Sequence, residues 1–465
     1  MKKGEIKIVP TGLPHNGIPL RVATVVLAAG KGTRMASEAS TEQFGPEITA
    51  EGLSRASRSK VLQEICGKPL LYYTLKALRE LDSLEKTYVV IGHERDKVKD
   101  AFRSENVQWV NQYQLKGSGD ALARTRSFLE GFDGLILVLC GDTPLMSAGL
   151  LRELIQAHLD SPKTAATILT CELDNPAAYG RMVRDKKGNV TGIVEAKEAT
   201  EKQKKIKEIN SGTYVFTPDV FRALDKVKPN PVNGEYYLTN VIDIMAREGK
   251  KIKGFLAENP AECLGVNTQN ELNTAGAIMR QRIVNDFIKG GVTIVAPENT
   301  YIEEGVAIGR DTLIYPFTVI HSNVVIGSGC EVGPFSHLRG GTVLEDGAEI
   351  GNFTEAKKTR LGRYSKAKHL SYLGDAIIGD NVNIGAGTIT ANYDGVHKEQ
   401  TVIEDGASTG SGTILVAPVK MGKNSRTGAG AVVTRGKSVA NGETVVGIPA
   451  RPLANPDKNC RDKSR

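Results

Sequence analysis

The stretch Leu27–Met35, LAAGKGTRM, follows directly on an apolar run, VATVVLA (Val22–Ala28). Gly30 and Gly32 allow successive backbone N–H groups to face an anion, and Lys31 and Arg34 add positive charge beside them. That combination suits a phosphate. It is not a P-loop, because no Lys-Ser or Lys-Thr pair follows the glycines. A glycine-rich turn of purely structural use reads the same. A second apolar run, LILVL (Leu135–Leu139), leads into CGDTPL and places the Asp142 carboxylate just past a strand. Alone, such an aspartate reads equally as a helix cap. Histidine titrates closest to neutrality of the ordinary side chains, and His321, His337, His369 and His397 fall in the last third of the chain. By residue type alone these histidines read as surface or corner residues, and three of them, all but His369, show no obvious partner. The cysteines (Cys66, Cys140, Cys171, Cys263, Cys330, Cys460) form no C-x-x-C pair. This argues against a zinc site or a disulfide framework and for a reducing, cytoplasmic setting.

These groups need elements to hold them. Val22–Ala28, Thr87–Ile91, Leu135–Leu139 and Ala165–Thr170 read as buried strands, and Leu70–Leu81 and Leu150–His158 as helices. Strands alternating with helices predict a mostly parallel α/β sheet covered on both faces. Ligands of such sheets sit at the carboxyl ends of the strands, where both the glycine loop and Asp142 lie. Ala36–Ser59, rich in Ser, Ala and Glu, reads as a flexible inserted loop. Apolar residues at Leu272, Ala275, Ile278, Met279, Ile283 and Phe287 predict an amphipathic helix over Glu271–Ile288, ended by Gly290-Gly291. A domain boundary is expected near 250–290.

Beyond it the period changes. Every sixth residue from Ile302 is apolar: Ile308, Ile314, Ile320, Ile326, Val332, Leu338, Leu344, Ile350 and Ala356. Neither a helix nor a plain strand sustains that period. It is the period of a three-sided hexapeptide β-solenoid, whose aliphatic residues stack from coil to coil. Glycine follows the aliphatic residue at Gly309, Gly327, Gly333 and Gly351, where a corner with positive φ is expected. The frame slips after Ala356, resumes at Ile378 and Ile384, slips again, and returns at Ile403. The slips are expected to mark loops leaving the coil.

The totals agree. Among 465 residues, 40% are hydrophobic and 24% charged, which describes a folded protein and not a disordered chain. A net charge of +7 suits anionic small substrates and does not argue for a nucleic-acid partner. No run approaches the roughly 18 apolar residues of a membrane span, and residues 1–20 lack the apolar core of a signal peptide.

LAAGKGTRM, followed by Lys60 in SKVL and then GKPLL, resembles the opening signature of the nucleotide-sugar pyrophosphorylases. The whole chain is similar to the bifunctional N-acetylglucosamine-1-phosphate uridylyltransferase / glucosamine-1-phosphate N-acetyltransferase family. The matching segments are GSGDALA (117–123), CGDTPL (140–145), YGR (179–181), IVEAK (193–197), INSGTYVF (209–216), GEYYLTNVI (234–242) and GVN (265–267). The resemblance implies that Ala29 and Gly30 contact the uridine nucleotide, while Gln112, Gly117 and Ser118 recognise its base. It implies that Gly180, Glu195 and Asn210 bind the amino sugar, and that Asp142 and Asn267 hold Mg²⁺. A carboxylate and an amide, completed by phosphate and water, suit that ion. Arg34 and Lys60 would offset charge on the α-phosphate during in-line attack, with no covalent nucleophile. In this domain the sequence departs from the family at three points: the long segment before Lys60, Ser59 in place of proline, and GSGD (117–120) in place of GTGH.

KHLSYLGD, around His369, is the acetyltransferase signature of the same family. By that resemblance His369 is the general base that frees the amino-sugar nitrogen to attack a thioester. Arg339 and Lys357 would hold the sugar phosphate, and Tyr372 and Asn383 the sugar. Ala386, Ser411 and Ala429 would border acetyl-CoA, Asn392 and Tyr393 would shape the adjoining pocket, and Arg451 could meet a CoA phosphate. A solvated arginine fits position 451 equally.

The implied fold is a Rossmann-like nucleotidyltransferase domain followed by a left-handed parallel β-helix. The expected parts are an extension (1–20), the nucleotidyltransferase domain (21–254, with inserted loop 36–59), a connecting segment with a helix (255–290), the hexapeptide acetyltransferase domain (291–453) and a basic tail (454–465). The implied protein is a cytoplasmic homotrimer that uses UTP, acetyl-CoA and amino-sugar phosphates and makes UDP-N-acetylglucosamine. One alternative is a monofunctional sugar-1-phosphate nucleotidyltransferase whose solenoid is structural or regulatory. Another is a non-enzymatic scaffold on an inactive pyrophosphorylase fold.

Overall fold

A computed structural model describes residues 14–15, 18–19, 21–30, 32, 35, 59–81 and 84–452. Arg34, Lys31 and segment 36–58 lie outside the described residues. The chain divides into two compact units, Met1–Gly276 and Ala277–Arg465. The division falls inside one helix, Gln269–Lys289.

The first unit is built on a nine-stranded mixed sheet. Val22–Ala28 sits inside it, parallel to Leu84–Ile91 on one side and to Leu135–Cys140 on the other. Glu208–Phe216 then runs antiparallel to Leu135–Cys140. Side chains alternate across the first strand as a strand requires. Val22, Val26 and Ala28 join one buried cluster, with helices Leu70–Arg79 and Ala148–Leu159 over them. Ala23 and Val25 join the opposite cluster, under helices Val220–Leu224 and Thr239–Arg247. The second of the early helices starts two residues before its apolar pattern does, because the Ser147 hydroxyl accepts from the Leu150 N–H at 3.1 Å.

His158 closes that helix, buried, with Nδ1 2.8 Å from the Thr167 hydroxyl. Burial, helped by the nearby Lys253 ammonium, holds its imidazole down at about 4 against an ordinary 6.5. The unfolded chain therefore binds this proton first as pH falls. The stabilisation is complete above about pH 6.5 and shrinks towards pH 4. The melting temperature is expected to drop across that window, and His158→Gln is expected to flatten the drop.

The second unit is a three-walled solenoid of two- to four-residue parallel strands. Its first wall runs from Thr293–Ile294 to Asn383–Ile384. The second runs from Tyr301–Ile302 to Val432–Val433, and the third from Ala307–Ile308 to Ser438–Val439. On the second wall Ile302, Ile320, Leu338, Ala356 and Leu373 stack in register and are fully buried. Ala386, Ser411 and Ala429 lie at the corner between the first and second walls, as detailed below.

Two expectations are corrected. The first frame slip is not a loop leaving the coil. Strands Glu355–Lys357, Arg360–Leu361, Lys366–His369, Tyr372–Gly374 and Ala376–Ile378 continue the three walls without interruption. The frame moves because two corners between the second and third walls are one residue shorter. In them the left-handed residue, Lys358 or Asp375, comes two positions after the buried one; in regular corners such as Phe317 or Phe353 it comes three after. Between the first and last wall strands, residues 392–400, between Ile389–Ala391 and Thr401–Ile403, leave the coil, at that same corner. The glycines also act differently. Gly309, Gly327 and Gly351 do not have positive φ. They are small because the next coil passes close: a Cβ on Gly309 would lie 2.6 Å from the Gly327 carbonyl carbon, and one on Gly327 2.6 Å from an Asp346 carboxylate oxygen. Gly333 alone of the four is left-handed, at φ 102°.

No helix among the described residues is long and apolar enough to cross a membrane.

Candidate active sites

The strand Val22–Ala28 delivers Ala29 and Gly30 to its carboxyl end, and Leu135–Cys140 delivers Asp142 beside them. Between them opens a cleft of about 410 Å³, lined in part by Ala29, Gly30, Lys60, Gln112, Gly117 and Asp142. Lys60, at the start of a 3₁₀ turn (Lys60–Leu62), sends its ammonium to the Asp142 carboxylate and donates to Asn267 Oδ1 at 2.8 Å. Asn267 is fixed from behind. The Glu271 carboxylate accepts from the backbone N–H groups of Asn267 and Thr268 at 2.6 and 2.9 Å. The Thr268 hydroxyl accepts from the Glu271 N–H at 3.2 Å, completing a capping box at the head of helix Gln269–Lys289. Tyr179 adds a clamp: its hydroxyl accepts from the Gly265 N–H at 2.9 Å.

Gln112 is oriented by one of the departures from the family pattern. Its Nε2 donates to Asp120 Oδ2 at 2.8 Å and to the Gly117 carbonyl at 3.0 Å. Both amide hydrogens are thereby engaged, and Oε1 is left as the acceptor. Gly117 and Ser118 are held against residues 236–238. The Tyr236 N–H donates to the Lys116 carbonyl at 2.7 Å, and the Leu238 N–H to the Ser118 hydroxyl at 3.1 Å. Gly117, at φ 93°, has no room for a Cβ, which would lie 2.7 Å from the Tyr236 carbonyl oxygen.

Gly180, Glu195 and Asn210 come together on the neighbouring antiparallel strands. The Asn210 N–H donates to the Gly180 carbonyl at 2.9 Å, and Asn210 Nδ2 to the Tyr214 hydroxyl at 2.7 Å. Glu195 accepts from the Thr239 hydroxyl at 2.9 Å. Burial raises its carboxyl above the usual range, against that hydrogen bond. Burial and the Asp142 charge push the nearby Cys140 thiol up to about 12, so it is an inert neighbour.

In the solenoid, His369 ends the first-wall strand Lys366–His369 and is exposed. The Asn352 amide oxygen, on the preceding coil in register with it, lies 3.0 Å from His369 Nδ1. An amide oxygen can only accept, so Nδ1 carries the hydrogen and Nε2 the lone pair. The column continues coil by coil from Asn352 and His369 through Ala386, Ser411 and Ala429. The left-handed corner residues beside it change in step. Phe317, Phe335, Phe353 and Leu370 give way to Gly387, Gly412 and Gly430. Beyond His369 the corner therefore carries small residues in place of the large ones before it.

Arg339, Lys357 and Tyr372 share the outer face of the second wall. Arg339 is in register with Lys357, and Lys357 with Gly374. The Tyr372 phenol lies over Gly374, where a Cβ would come within 2.6 Å of its hydroxyl. Arg339 donates to the Glu355 carboxylate at 2.9 Å. Asn383 is on the first wall, in register with Lys366, and not in this group. Asn392 and Tyr393 open the excursion 392–400. Asn392 is tied to the Asp375 carboxylate and Tyr393 is exposed. The loop is clasped by Arg435, which donates to Asp394 Oδ2 at 2.8 Å. Arg435, with the backbone N–H groups of His397 and Val396, holds the Asp394 carboxyl well below the usual carboxylate range. Arg451 is exposed, pairs with Val446 through its backbone, and donates from its guanidinium to the Ala450 carbonyl at 3.3 Å.

Sequence reasoning does not single out Asn352, Glu271 or Tyr179, and it marks Asp120 only as part of a departure from the family pattern. The Thr268-x-x-Glu271 capping box was readable as such. Asn352 was not, because its partner is a whole coil away. The expectation that His321 and His337 lack partners is overturned, since their rings bond to each other.

Residues 24–206 match the MobA-like NTP transferase domain, and residues 299–334 and 323–356 the bacterial transferase hexapeptide (six repeats). The bifunctional protein GlmU of Geobacillus sp. (strain WCH70) is 41% identical over 444 residues, 88% of this chain and 92% of the relative. That of Syntrophomonas wolfei is 38% identical over 90% of this chain and 95% of its own length. That of Geotalea daltonii is 40% identical over 89% and 94%. Two sites on two units, the two family matches and this end-to-end similarity agree: the chain belongs to the family of bifunctional GlmU proteins.

Proposed function

We propose that the chain makes UDP-N-acetylglucosamine in two steps: acetylation of glucosamine 1-phosphate by acetyl-CoA, then uridylyl transfer from UTP with release of pyrophosphate. The observation that carries this reading is the pair of constellations on one polypeptide. Lys60, Asp142 and Asn267 converge at the carboxyl ends of the sheet strands, and His369 heads a column of small residues, Ala386, Ser411 and Ala429, on the solenoid.

In the first unit, Asp142 and Asn267 would hold Mg²⁺. Their oxygens already converge on one cation, the Lys60 ammonium. No group of three or more His, Cys, Asp or Glu among the described residues could hold a metal. Phosphate and water would therefore supply the other ligands, the donor set Mg²⁺ favours. The ion, when bound, supplies charge neutralisation at the phosphates. Lys60, released from Asp142, would turn to the α-phosphate, with Arg34 beside it. Ala29 and Gly30 present backbone to the nucleotide. Gln112 Oε1 would accept from the uracil N3–H, with Gly117 and Ser118 closing on the base. Gly180, Glu195 and Asn210 would take the sugar and align its phosphate for in-line attack.

In the second unit, Arg339 and Lys357 would anchor the sugar phosphate, and Tyr372 and Asn383 the ring. His369 Nε2 takes a proton from the amine as its nitrogen attacks the thioester carbonyl carbon. The carbon–sulfur bond then breaks and the proton leaves with CoA. Ala386, Ser411 and Ala429 would border the pantetheine arm, Asn392 and Tyr393 its end, and Arg451 a CoA phosphate. His369 and Asn383 stand on one wall and Arg339, Lys357 and Tyr372 on the next. We include in the reading a homotrimer in which a neighbouring copy completes this open site, working in the cytoplasm.

Two assays test the order. Thiol release from acetyl-CoA is expected to need glucosamine 1-phosphate only, and pyrophosphate release to need UTP with the acetylated sugar phosphate. Equal pyrophosphate release from the non-acetylated sugar would break the proposed sequence. The assignment of this column has its own test. Ala429→Phe is expected to raise the acetyl-CoA KM at least tenfold, about 1.4 kcal/mol, with uridylyl transfer unchanged; an unaltered KM would remove Ala429 from the path.

A further inference from the structure

His321 and His337 stand on adjacent coils of the second wall, with their Nε2 atoms 2.9 Å apart. The outer nitrogen of each ring faces a carboxylate. His321 Nδ1 is 3.0 Å from Glu303 Oε1, and His337 Nδ1 is 4.0 Å from Glu355 Oε2. Glu303 is itself anchored, because its Oε2 accepts from the Ser322 N–H at 2.7 Å. In the metal-free chain one N–H shared between the two Nε2 atoms satisfies the pair.

We propose that His321 and His337 form a two-nitrogen site for an imidazole-preferring transition-metal dication, Zn²⁺, Ni²⁺ or Cu²⁺, separate from the Mg²⁺ site proposed at Asp142 and Asn267. Four features support it. Imidazole nitrogens bind such ions at about 2.0–2.1 Å, so two neighbouring ligands at right to tetrahedral angles lie about 2.9–3.4 Å apart. The pair already has that separation. Metal-binding histidines usually donate the other ring N–H to a carboxylate, and Glu303 and Glu355 stand in those places. The surrounding charge also suits a dication: two carboxylates face one guanidinium, Arg339, which is itself paired with Glu355. Finally, both side chains are partly open, 37% and 41% exposed, so water can fill the remaining positions. Binding needs both Nε2 lone pairs: the shared hydrogen moves to His337 Nδ1, which faces Glu355, while His321 keeps its Nδ1–H towards Glu303, so each neutral ring retains one hydrogen. Mg²⁺ prefers oxygen and does not compete.

The test is calorimetric titration of the metal-free full-length chain with Zn²⁺ in buffer containing Mg²⁺. Cu²⁺ electron paramagnetic resonance provides a second readout. One tight Zn²⁺ per chain is expected, with a copper spectrum showing nitrogen coupling. His321→Ala and His337→Ala should each weaken binding at least ~100-fold, the upper end of the loss from an outer partner alone. Glu303→Gln should weaken it about tenfold, and His397→Ala should leave it unchanged. His321→Gln, which keeps a side chain of similar reach, should fail to bind while keeping the wild-type melting temperature. Zn²⁺ binding that survives in His321→Ala, or no uptake by the wild-type chain, overturns the proposal.

Discussion

His369→Ala is expected to slow acetyl transfer by about 10²–10⁴ and to leave uridylyl transfer at the wild-type rate. An ammonium has no lone pair to offer a thioester, so a base must act before or during attack. Nε2 of His369 is available because Asn352 claims Nδ1–H at 3.0 Å. In the wild type the acetyl-transfer rate should rise with pH. In the variant the residual rate should still rise with pH, because the substrate ammonium must then lose its proton to solvent. Asn352→Ala leaves the base but frees the ring to turn or change tautomer. A smaller loss is expected there, with the pH dependence retained. Near-normal acetylation by His369→Ala would remove the residue from the chemistry.

Asp142→Ala is expected to lower pyrophosphate release by a factor of about 10² or more, with acetylation nearly intact. The substitution removes the carboxylate that meets the Lys60 ammonium and leaves the Asn267 amide as the remaining oxygen donor of the pair. Asp142→Asn keeps the shape and loses the charge, so it should be impaired to a similar degree. Excess Mg²⁺ should restore little. Equal loss of both activities in a folded variant would contradict the assignment of the two reactions to separate units.

The placement of both candidate sites is legible where it depends on local sequence. Ala29 and Gly30 follow a strand within one unbroken motif, and Asp142 ends another. His369 sits in a signature that names its neighbours. The solenoid was legible because its core repeats: a six-residue period needs no long-range information. The first frame slip reads as a loop because a shortened corner and an excursion both break the six-residue count. Only the left-handed residues Lys358 and Asp375, placed one position early, tell them apart. The glycines at 309, 327 and 351 were assigned to backbone conformation, when the cause was the next coil's approach. Contacts between coils stayed hidden for the same reason. Asn352 with His369, and His321 with His337, meet only after the chain has gone once round the solenoid. Glu271 was hidden differently, since its carboxylate acts on the Asn267 backbone through a helix cap.

The most direct test is product mass spectrometry with the purified full-length chain, Mg²⁺, UTP, glucosamine 1-phosphate and acetyl-CoA labelled in the acetyl group. The account predicts UDP-N-acetylglucosamine carrying the label, with CoA and pyrophosphate formed in equal amounts at completion. Labelled N-acetylglucosamine 1-phosphate that is never uridylylated, or a UDP-sugar without the label, would contradict it.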